Sequence, residues 1–142
     1  MVDYLGKSFV TKDGVKEGVL DGKKVIGIYF SAHWCPPCKS FTPILAQAYN
    51  EMKEEDADGL EIVFVSSDQS QQQFEEYYGE MPWVAVPFGD ERKGQLGSKF
   101  SVTGIPMLVI VNGSTGEVIS TNGRGDVASQ GPGALQGWLS KL

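Results

Sequence analysis

Apolar residues follow two different patterns along this chain. Continuous apolar runs rich in β-branched and aromatic residues occupy residues 25–30, 60–65 and 107–111, as is typical of buried strands. A fourth candidate strand, residues 117–121, follows the third across a turn that contains Asn112 and Gly113. Those last two strands are therefore predicted to form a hairpin.

Helical spacing appears between these runs. Downstream of Cys35 the apolar residues recur every three or four positions, as expected for one face of a helix: Phe41, Ile44, Leu45, Ala48, Tyr49 and Met52. Pro43 is predicted to kink this helix, and residues 56–59 to end it. Further helices are predicted at 69–79, 92–100 and 134–142, the second with Leu96 and Phe100 inward and the last preceded by a Gly-rich loop at 123–133.

The remaining N-terminal segments carry weaker signals. Residues 7–10 are predicted to form an edge strand, and residues 17–22 a short helix or turn. The alternation of strands and helices favours an α/β fold, and 142 residues suit a single domain spanning 1–142.

Composition narrows the classes of partner. Hydrophobic content of 41% and charged content of 21% are ordinary for a globular chain, whereas a net charge of −6 argues against nucleic-acid binding. No stretch approaches the roughly 20 apolar residues of a membrane span, and residues 1–7 lack the apolar core of a signal peptide. We therefore expect a monomeric cytoplasmic protein that binds neither nucleic acid nor membrane.

Two cysteines, Cys35 and Cys38, are the only ones in the chain, and they lie between a predicted strand and a predicted helix. At a helix N-terminus, unpaired N–H groups and the helix dipole stabilise a thiolate, the form that attacks disulfides. Pro36 suits the first helical turn, because its fixed φ fits and its missing N–H would have had no partner. The pattern predicts a redox site.

Three other uses of the two cysteines fit the sequence less well. A structural zinc ion needs about four ligands, and His33 is the only further soft ligand nearby. A purely structural disulfide across so short a loop would remove little entropy from the unfolded chain. Two inert cysteines would leave the flanking Trp34, Pro36 and Pro37 unexplained.

Longer motifs carry a family resemblance. They are Trp34-Cys35-Pro36-Pro37-Cys38-Lys39, Phe41-Thr42-Pro43, Phe64-Val65-Ser66-Ser67-Asp68, Met81-Pro82-Trp83-Val84-Ala85-Val86-Pro87-Phe88 and Gly104-Ile105-Pro106. Together, from about residue 6 to residue 138, the chain resembles the tryparedoxin and nucleoredoxin branch of the thioredoxin superfamily. This resemblance implies a thioredoxin-like fold, with a central mixed twisted sheet flanked by helices.

The resemblance also implies roles for individual residues. Cys35 would attack a disulfide, Cys38 would resolve the mixed disulfide, and Pro106 would be cis and face the pair. The backbone of Ile105 would pair with an extended substrate segment, and Arg124 would hold the carboxylate of a glutathione-like thiol. Trp34, with Pro36 and Pro37, is predicted to shape the surface that partners meet, in preference to being a plain core Trp.

Two residues, Tyr29 and Asp68, bear on how protons are moved at this site. Tyr29 stands where many thioredoxins have a buried acid, so another group must move protons. Asp68 matches the family's active-site aspartate and is predicted to act as acid or base through water, to cap the helix at 69–79, or to do both. Lys39 and His33 are interpreted as solvated charges.

The predicted function is that of a dithiol oxidoreductase with no built-in cofactor. A small dithiol (trypanothione or glutathione) or a flavoprotein reductase would reduce it, and disulfide proteins such as peroxiredoxins would be its targets. Gln69 and Ser70 replace acidic residues of tryparedoxins, which weakens the case for trypanothione. The alternatives are a nucleoredoxin-like protein reduced by thioredoxin reductase, and a redox-sensitive binding module that docks partners through Trp34, Pro106 and Trp83.

Overall fold

A computed structural model describes residues 3–142 of the chain. Seven strands form one sheet: β1 Ser8–Thr11, β2 Gly14–Glu17, β3 Val25–Ser31, β4 Leu60–Ser66, β5 Val84–Ala85, β6 Met107–Asn112 and β7 Val118–Ser120. Five α-helices accompany them: α1 Pro36–Glu55, α2 Gln71–Tyr78, α3 Arg92–Lys99, α4 Gly123–Gln130 and α5 Ala134–Leu139. Short 3-10 turns lie at Asp3–Leu5 and Gly131–Gly133.

The sheet is mixed and has the strand order β2-β1-β5-β4-β3-β6-β7. The pairs β3/β4 and β4/β5 are parallel, and the other four neighbouring pairs are antiparallel. Every residue of β3 and β4 is buried, because helices cover both faces of the sheet centre. This arrangement confirms the predicted thioredoxin-like fold and the predicted hairpin of β6 and β7.

Two apolar clusters occupy the two faces of the sheet. One cluster joins α1, α2, α4 and α5 to residues such as Tyr29, Phe64 and Leu108, and the other lies on the opposite face around Ile28, Val63 and Leu96. Successive residues of a strand point to opposite faces, so each central strand contributes to both clusters. The sheet is thereby fixed between its helices, and the carboxyl end of β3 is held where α1 begins.

Three local predictions were wrong. The strand at residues 8–11 is not an edge, because β2 pairs with it on the outside; β2 is exposed throughout and so carries no apolar alternation. Ile44 is 50% exposed, since the buried face of α1 is turned toward Cys38 and Thr42. Residues 123–130 form α4 and not a loop.

The Gly-rich composition of α4 has a steric cause. Asn122 caps this helix by accepting a hydrogen bond from the Gly125 N–H at 3.3 Å. A Cβ on Gly123 would lie 2.7 Å from the Cγ of Leu108 and 2.9 Å from its carbonyl oxygen. The absence of a side chain at Gly123 therefore lets α4 pack directly against β6.

Candidate active site

Cys35 lies in the connection between β3 and α1 and is the N-cap residue of α1. Its sulfur accepts a hydrogen bond from the Cys38 N–H at 3.4 Å, and Pro36 and Pro37 fill the first helical positions, where a missing N–H costs nothing. The cysteine sulfur thus takes the place that a serine or aspartate oxygen has in other helix caps. The helix dipole adds partial positive charge beside it.

Cys38 lies one helical turn further in and is fully buried, whereas Cys35 retains a small exposed fraction of 5%. Both cysteines are free thiols. Burial raises the pKa of Cys38 to about 11, and the neighbouring Cys35 sulfur adds to this, while hydrogen bonds from Ser31 and the Ala32 backbone act in the opposite direction. Cys38 therefore holds its proton near neutral pH.

Ile105 and Pro106 close the site from the side of β6. The Ile105–Pro106 peptide bond is cis, as the resemblance implies. The Cys35 thiol approaches the Ile105 carbonyl at 3.8 Å, and the Ile105 side chain packs against Ala32, Cys35 and Cys38. The alternative interpretation, an edge-strand proline remote from Cys35, is wrong because β6 lies inside the sheet and its entry touches the cysteine.

Trp34 is a surface residue of this site and not part of the core. Its side chain is 53% exposed, and its indole Nε1 donates to the Ser67 carbonyl at 3.0 Å. This bond ties the ring to the loop that follows β4. A large apolar surface is consequently held in place next to Cys35.

Asp68 is buried beside the loop that precedes Cys35. Its Oδ1 accepts from the His33 backbone N–H at 2.7 Å, and its Oδ2 accepts from the Ser66 hydroxyl at 2.6 Å. The predicted helix-capping role is wrong, because Ser70 caps α2 by accepting from the Gln73 N–H. Both carboxylate oxygens of Asp68 are instead used to join the ends of β3 and β4.

The remaining residues considered from the sequence are Arg124, His33 and Trp83. Arg124 is exposed in the first turn of α4. His33 stacks on Tyr77 with ring centroids 5.2 Å apart, and its Nε2 lies 3.6 Å from a Glu80 carboxylate oxygen. Trp83 is buried between Tyr29 and Tyr49, so its predicted role in docking a partner is wrong.

Several buried hydroxyls close to Cys38 were not predicted from the sequence. Ser31 and Thr42 lie within hydrogen-bonding distance of the Tyr77 hydroxyl, at 2.6 and 2.5 Å. Two local signals were available: Ser31 is two residues after Tyr29 on the same strand, and Thr42 is one turn after Cys38. Tyr77 comes from α2, and nothing local in the sequence connects it to the cysteines.

Two wider properties bear on the class of protein. Within residues 3–142, no three side chains of the types His, Cys, Asp or Glu come together in a way that would hold a metal ion. None of the helices in that same part of the chain is long and apolar enough to cross a membrane.

A pair of cysteines at a helix N-terminus, facing a cis proline beside a mixed sheet, is the arrangement expected for a protein of the thioredoxin-like class. Comparison with known proteins agrees: residues 22–118 match the family model described as thioredoxin-like, and the chain belongs to this family. Its relatives named tryparedoxin and nucleoredoxin are enzymes of thiol–disulfide exchange.

Three similar proteins illustrate the relationship. The tryparedoxin of Trypanosoma brucei brucei is 43% identical over 134 residues, which cover 92% of this chain and 90% of that protein. A solved structure of Trypanosoma brucei tryparedoxin superposes with a TM-score of 0.86 at 39% identity, covering 96% of this chain and 95% of that one. A third, tryparedoxin II complexed with glutathionylspermidine, gives a TM-score of 0.82 at 33% identity and covers 89% and 90% of the two chains.

Nucleoredoxins are similar over a smaller share of their length. Probable nucleoredoxin 1 of Arabidopsis thaliana is 48% identical over 125 residues, which are 87% of this chain but 21% of that protein. The chain thus spans about a fifth to a quarter of the nucleoredoxins it matches. With tryparedoxin the correspondence extends over nearly the whole of both chains.

Proposed function

We propose that this protein passes electrons from a small dithiol to peroxidases and other disulfide proteins, with Cys35 as the attacking thiol and Cys38 as the resolving thiol. The observation that carries this proposal is the placement of Cys35 at the N-cap of α1 with the fully buried Cys38 one turn behind it. In the forward half-reaction, the Cys35 sulfur attacks a partner disulfide and one partner sulfur leaves. Cys38 then attacks Cys35 and releases the second partner sulfur, which leaves both partner cysteines reduced.

The exposed parts of the site support a role in docking. Trp34 offers an apolar surface, and the Ile105 backbone lies next to the Cys35 sulfur, where an extended partner segment would align by main-chain hydrogen bonds. Pro36 and Pro37 fix the backbone between the two cysteines. Asp68 acts in this proposal by holding the loop before Cys35, since neither of its oxygens is left without a partner.

A small dithiol as electron donor is supported by the relationship to tryparedoxin. A related tryparedoxin II was solved in complex with glutathionylspermidine, a thiol that carries a polyamine arm. Arg124, exposed in the first turn of α4, would provide a planar guanidinium for the carboxylate of such a ligand. The net charge of −6 would attract the cationic polyamine part.

The donor is tested by comparing trypanothione, glutathione at equal thiol concentration, and NADPH with thioredoxin reductase. We expect trypanothione to reduce the protein fastest and its rate to fall as ionic strength rises. Arg124→Ala should raise the apparent KM for trypanothione with a smaller change in kcat. Lys24→Ala is the matched control, because it removes an exposed cation at the start of β3, the opposite end of the strand from the cysteines.

The same assay distinguishes the alternatives. Rates that are equal for both thiols and insensitive to salt and to Arg124 would contradict the proposed donor. Efficient reduction by thioredoxin reductase would then favour the nucleoredoxin-like alternative. Stoichiometric exchange without sustained turnover under every donor would favour a redox-sensitive binding module.

A further inference from the structure

A groove runs along α3 beside the candidate active site. It has a volume of about 440 Å³ and is lined by Ser67, by residues of α3 and by the loop at 101–103; we call it the α3 groove. Its volume lies within the range of small-molecule sites, about 300–1,000 Å³. Trp34 donates its indole hydrogen bond to the Ser67 carbonyl, and the loop ends two residues before Ile105, which packs against Cys35. The α3 groove is therefore continuous with the surface around the attacking sulfur.

Hydroxyl groups line much of the α3 groove. They belong to Ser67, Ser98, Ser101 and Thr103. In the part of the chain that the structure describes, none of these four hydroxyls is hydrogen-bonded to another residue, whereas the Ser129 hydroxyl, for example, donates to the backbone. Because a hydroxyl can both donate and accept, these groups suit the amide and carboxylate groups of a peptide ligand.

Lys93 gives the α3 groove a positive charge. It is the one charged residue among those described along the groove, and its side chain is exposed. Within residues 3–142 it forms no ion pair. Asp68, across a separate cavity of about 90 Å³, is bound to the His33 N–H and the Ser66 hydroxyl. On a chain with a net charge of −6, a groove whose described lining has one cation and no anion complements an anionic ligand.

Three residues of the α3 groove are unfavourable choices for the local backbone. A Cβ on Gly94 or Gly97 would meet no atom within 4 Å, so packing does not require glycine there, and glycine inside a helix is less stable than alanine. Ser101 is the reverse case, because its φ of 52° lies in the left-handed region that favours glycine. The result is an open groove with a hydroxyl at its end, obtained at the expense of helix stability.

We propose that the α3 groove binds one half of a peptide disulfide that carries a carboxylate, and that Lys93 is the residue that binds this carboxylate. The inference rests on the proposed reaction of Cys35 with a small thiol, and it adds a second subsite for that substrate. A disulfide such as glutathione disulfide has two peptide halves, each with its own carboxylates. Since α3 and α4 pack on opposite faces of the sheet, Lys93 and Arg124 would each serve one half.

The reaction balances with the small disulfide as the oxidant. The Cys35 sulfur forms a bond to one glutathione sulfur, the bond between the two glutathione sulfurs breaks, and the second glutathione leaves as a thiolate that takes up the proton given up by Cys35. Cys38 then displaces the first glutathione from Cys35. The two protein thiols are oxidised to a disulfide and the ligand is reduced to two thiols. The same contacts serve the reverse direction, in which a small thiol reduces the oxidised protein.

The proposal is tested by measuring how fast two small disulfides oxidise the reduced protein. One is glutathione disulfide, and the other is bis(2-hydroxyethyl) disulfide, which has neither charge nor peptide groups. Rapid acid quench followed by mass spectrometry gives the second-order rate constant for each. The comparison separates binding in the α3 groove from the reactivity of Cys35 itself.

In Lys93→Ala we expect the reaction with glutathione disulfide to slow about three- to tenfold at low ionic strength, because a contact with a carboxylate is lost. The difference from wild type should shrink as salt is added. The rate with bis(2-hydroxyethyl) disulfide should be unchanged. Lys99→Ala is the matched control, since this exposed cation of the same helix does not line the groove and lies 4.5 Å from the Tyr4 ring centroid.

Gly97→Leu fills the α3 groove without a clash inside the protein. We expect it to slow the reaction with glutathione disulfide about tenfold and to leave bis(2-hydroxyethyl) disulfide unaffected. Its midpoint of unfolding in urea should be equal to or above that of wild type, because leucine favours a helix. Gly137→Leu is the control, since a Cβ at this position of α5 also meets nothing within 4 Å and the residue lies outside the groove.

Wild-type rates with glutathione disulfide in both Lys93→Ala and Gly97→Leu would overturn the proposal. Equal slowing with bis(2-hydroxyethyl) disulfide would overturn it as well, because the substitutions would then act on Cys35. Slowing confined to protein disulfides would contradict it by assigning the groove to partner proteins. Failure of the proposed function would look different, since the wild-type protein itself would then react with neither small disulfide.

Discussion

Replacement of Cys35 by serine is expected to abolish turnover of protein disulfides, lowering it at least about a thousandfold. Cys35 supplies the sulfur that attacks, and its hydroxyl replacement is a far weaker nucleophile at neutral pH. The protein should still fold, because both cysteines are free thiols in the structure and no disulfide is lost. Turnover with a disulfide-containing peroxidase as substrate gives the measurement.

Replacement of Cys38 by serine is expected to have a different result. Attack by Cys35 remains, but nothing releases the partner, so stable mixed disulfides should accumulate and be visible on non-reducing gels. Ser40→Ala is a suitable control, since it removes an exposed hydroxyl from the same part of α1. Adducts that form in Cys35→Ser and not in Cys38→Ser would mean that the two roles are exchanged.

The second large effect is expected at Asp68. Asp68→Ala leaves the buried His33 N–H and Ser66 hydroxyl without their partners, which should lower the free energy of unfolding by about 1–3 kcal/mol. Turnover should fall about tenfold, because the loop before Cys35 is released. Chemical denaturation and steady-state turnover measure these two quantities.

Asp68→Asn separates positioning from proton transfer. The amide oxygen still accepts from His33, and the amide N–H₂ donates to Ser66 once that hydroxyl turns, so the loop stays fixed while the charge is lost. We expect this variant to retain most of the wild-type turnover. If it loses as much turnover as Asp68→Ala, then Asp68 is a proton donor or acceptor, and positioning alone is an insufficient account.

The sequence allowed the sheet centre and the cysteine pair to be predicted because both carry strong local signals. β3 and β4 are buried on both faces, so nearly every residue is apolar. The cysteines fall between a strand and a helix with proline at the first helical position, which fixes their geometry within a few residues. No other part of the chain needs to be known to place them.

The elements that were missed owe their structure to tertiary contacts. β2 is a fully exposed strand held by main-chain pairing with β1, so its residues show no burial pattern. α4 begins at Gly123, whose missing side chain lets the helix approach Leu108, and glycine in isolation predicts a loop. In each case the decisive partner is remote in sequence.

The difference between local sequence signals and contacts to remote residues also applies within the candidate site. Cys35, Cys38 and Pro106 could be placed from their motifs, whereas the buried hydroxyl contact near Cys38 required Tyr77 of α2 to be brought against Ser31 of β3. Trp83 belongs to a motif that suggested an exposed ligand, yet its indole is enclosed by aromatic rings. Motifs identify the reacting atoms, and packing determines which groups surround them.

Limited alkylation of the reduced protein tests the assignment of the two thiols directly. A substoichiometric amount of iodoacetamide at neutral pH, followed by peptide mapping, shows which cysteine reacts. Because Cys38 is fully buried and its pKa is raised to about 11, we predict that the label is found on Cys35. Preferential labelling of Cys38 would contradict the account.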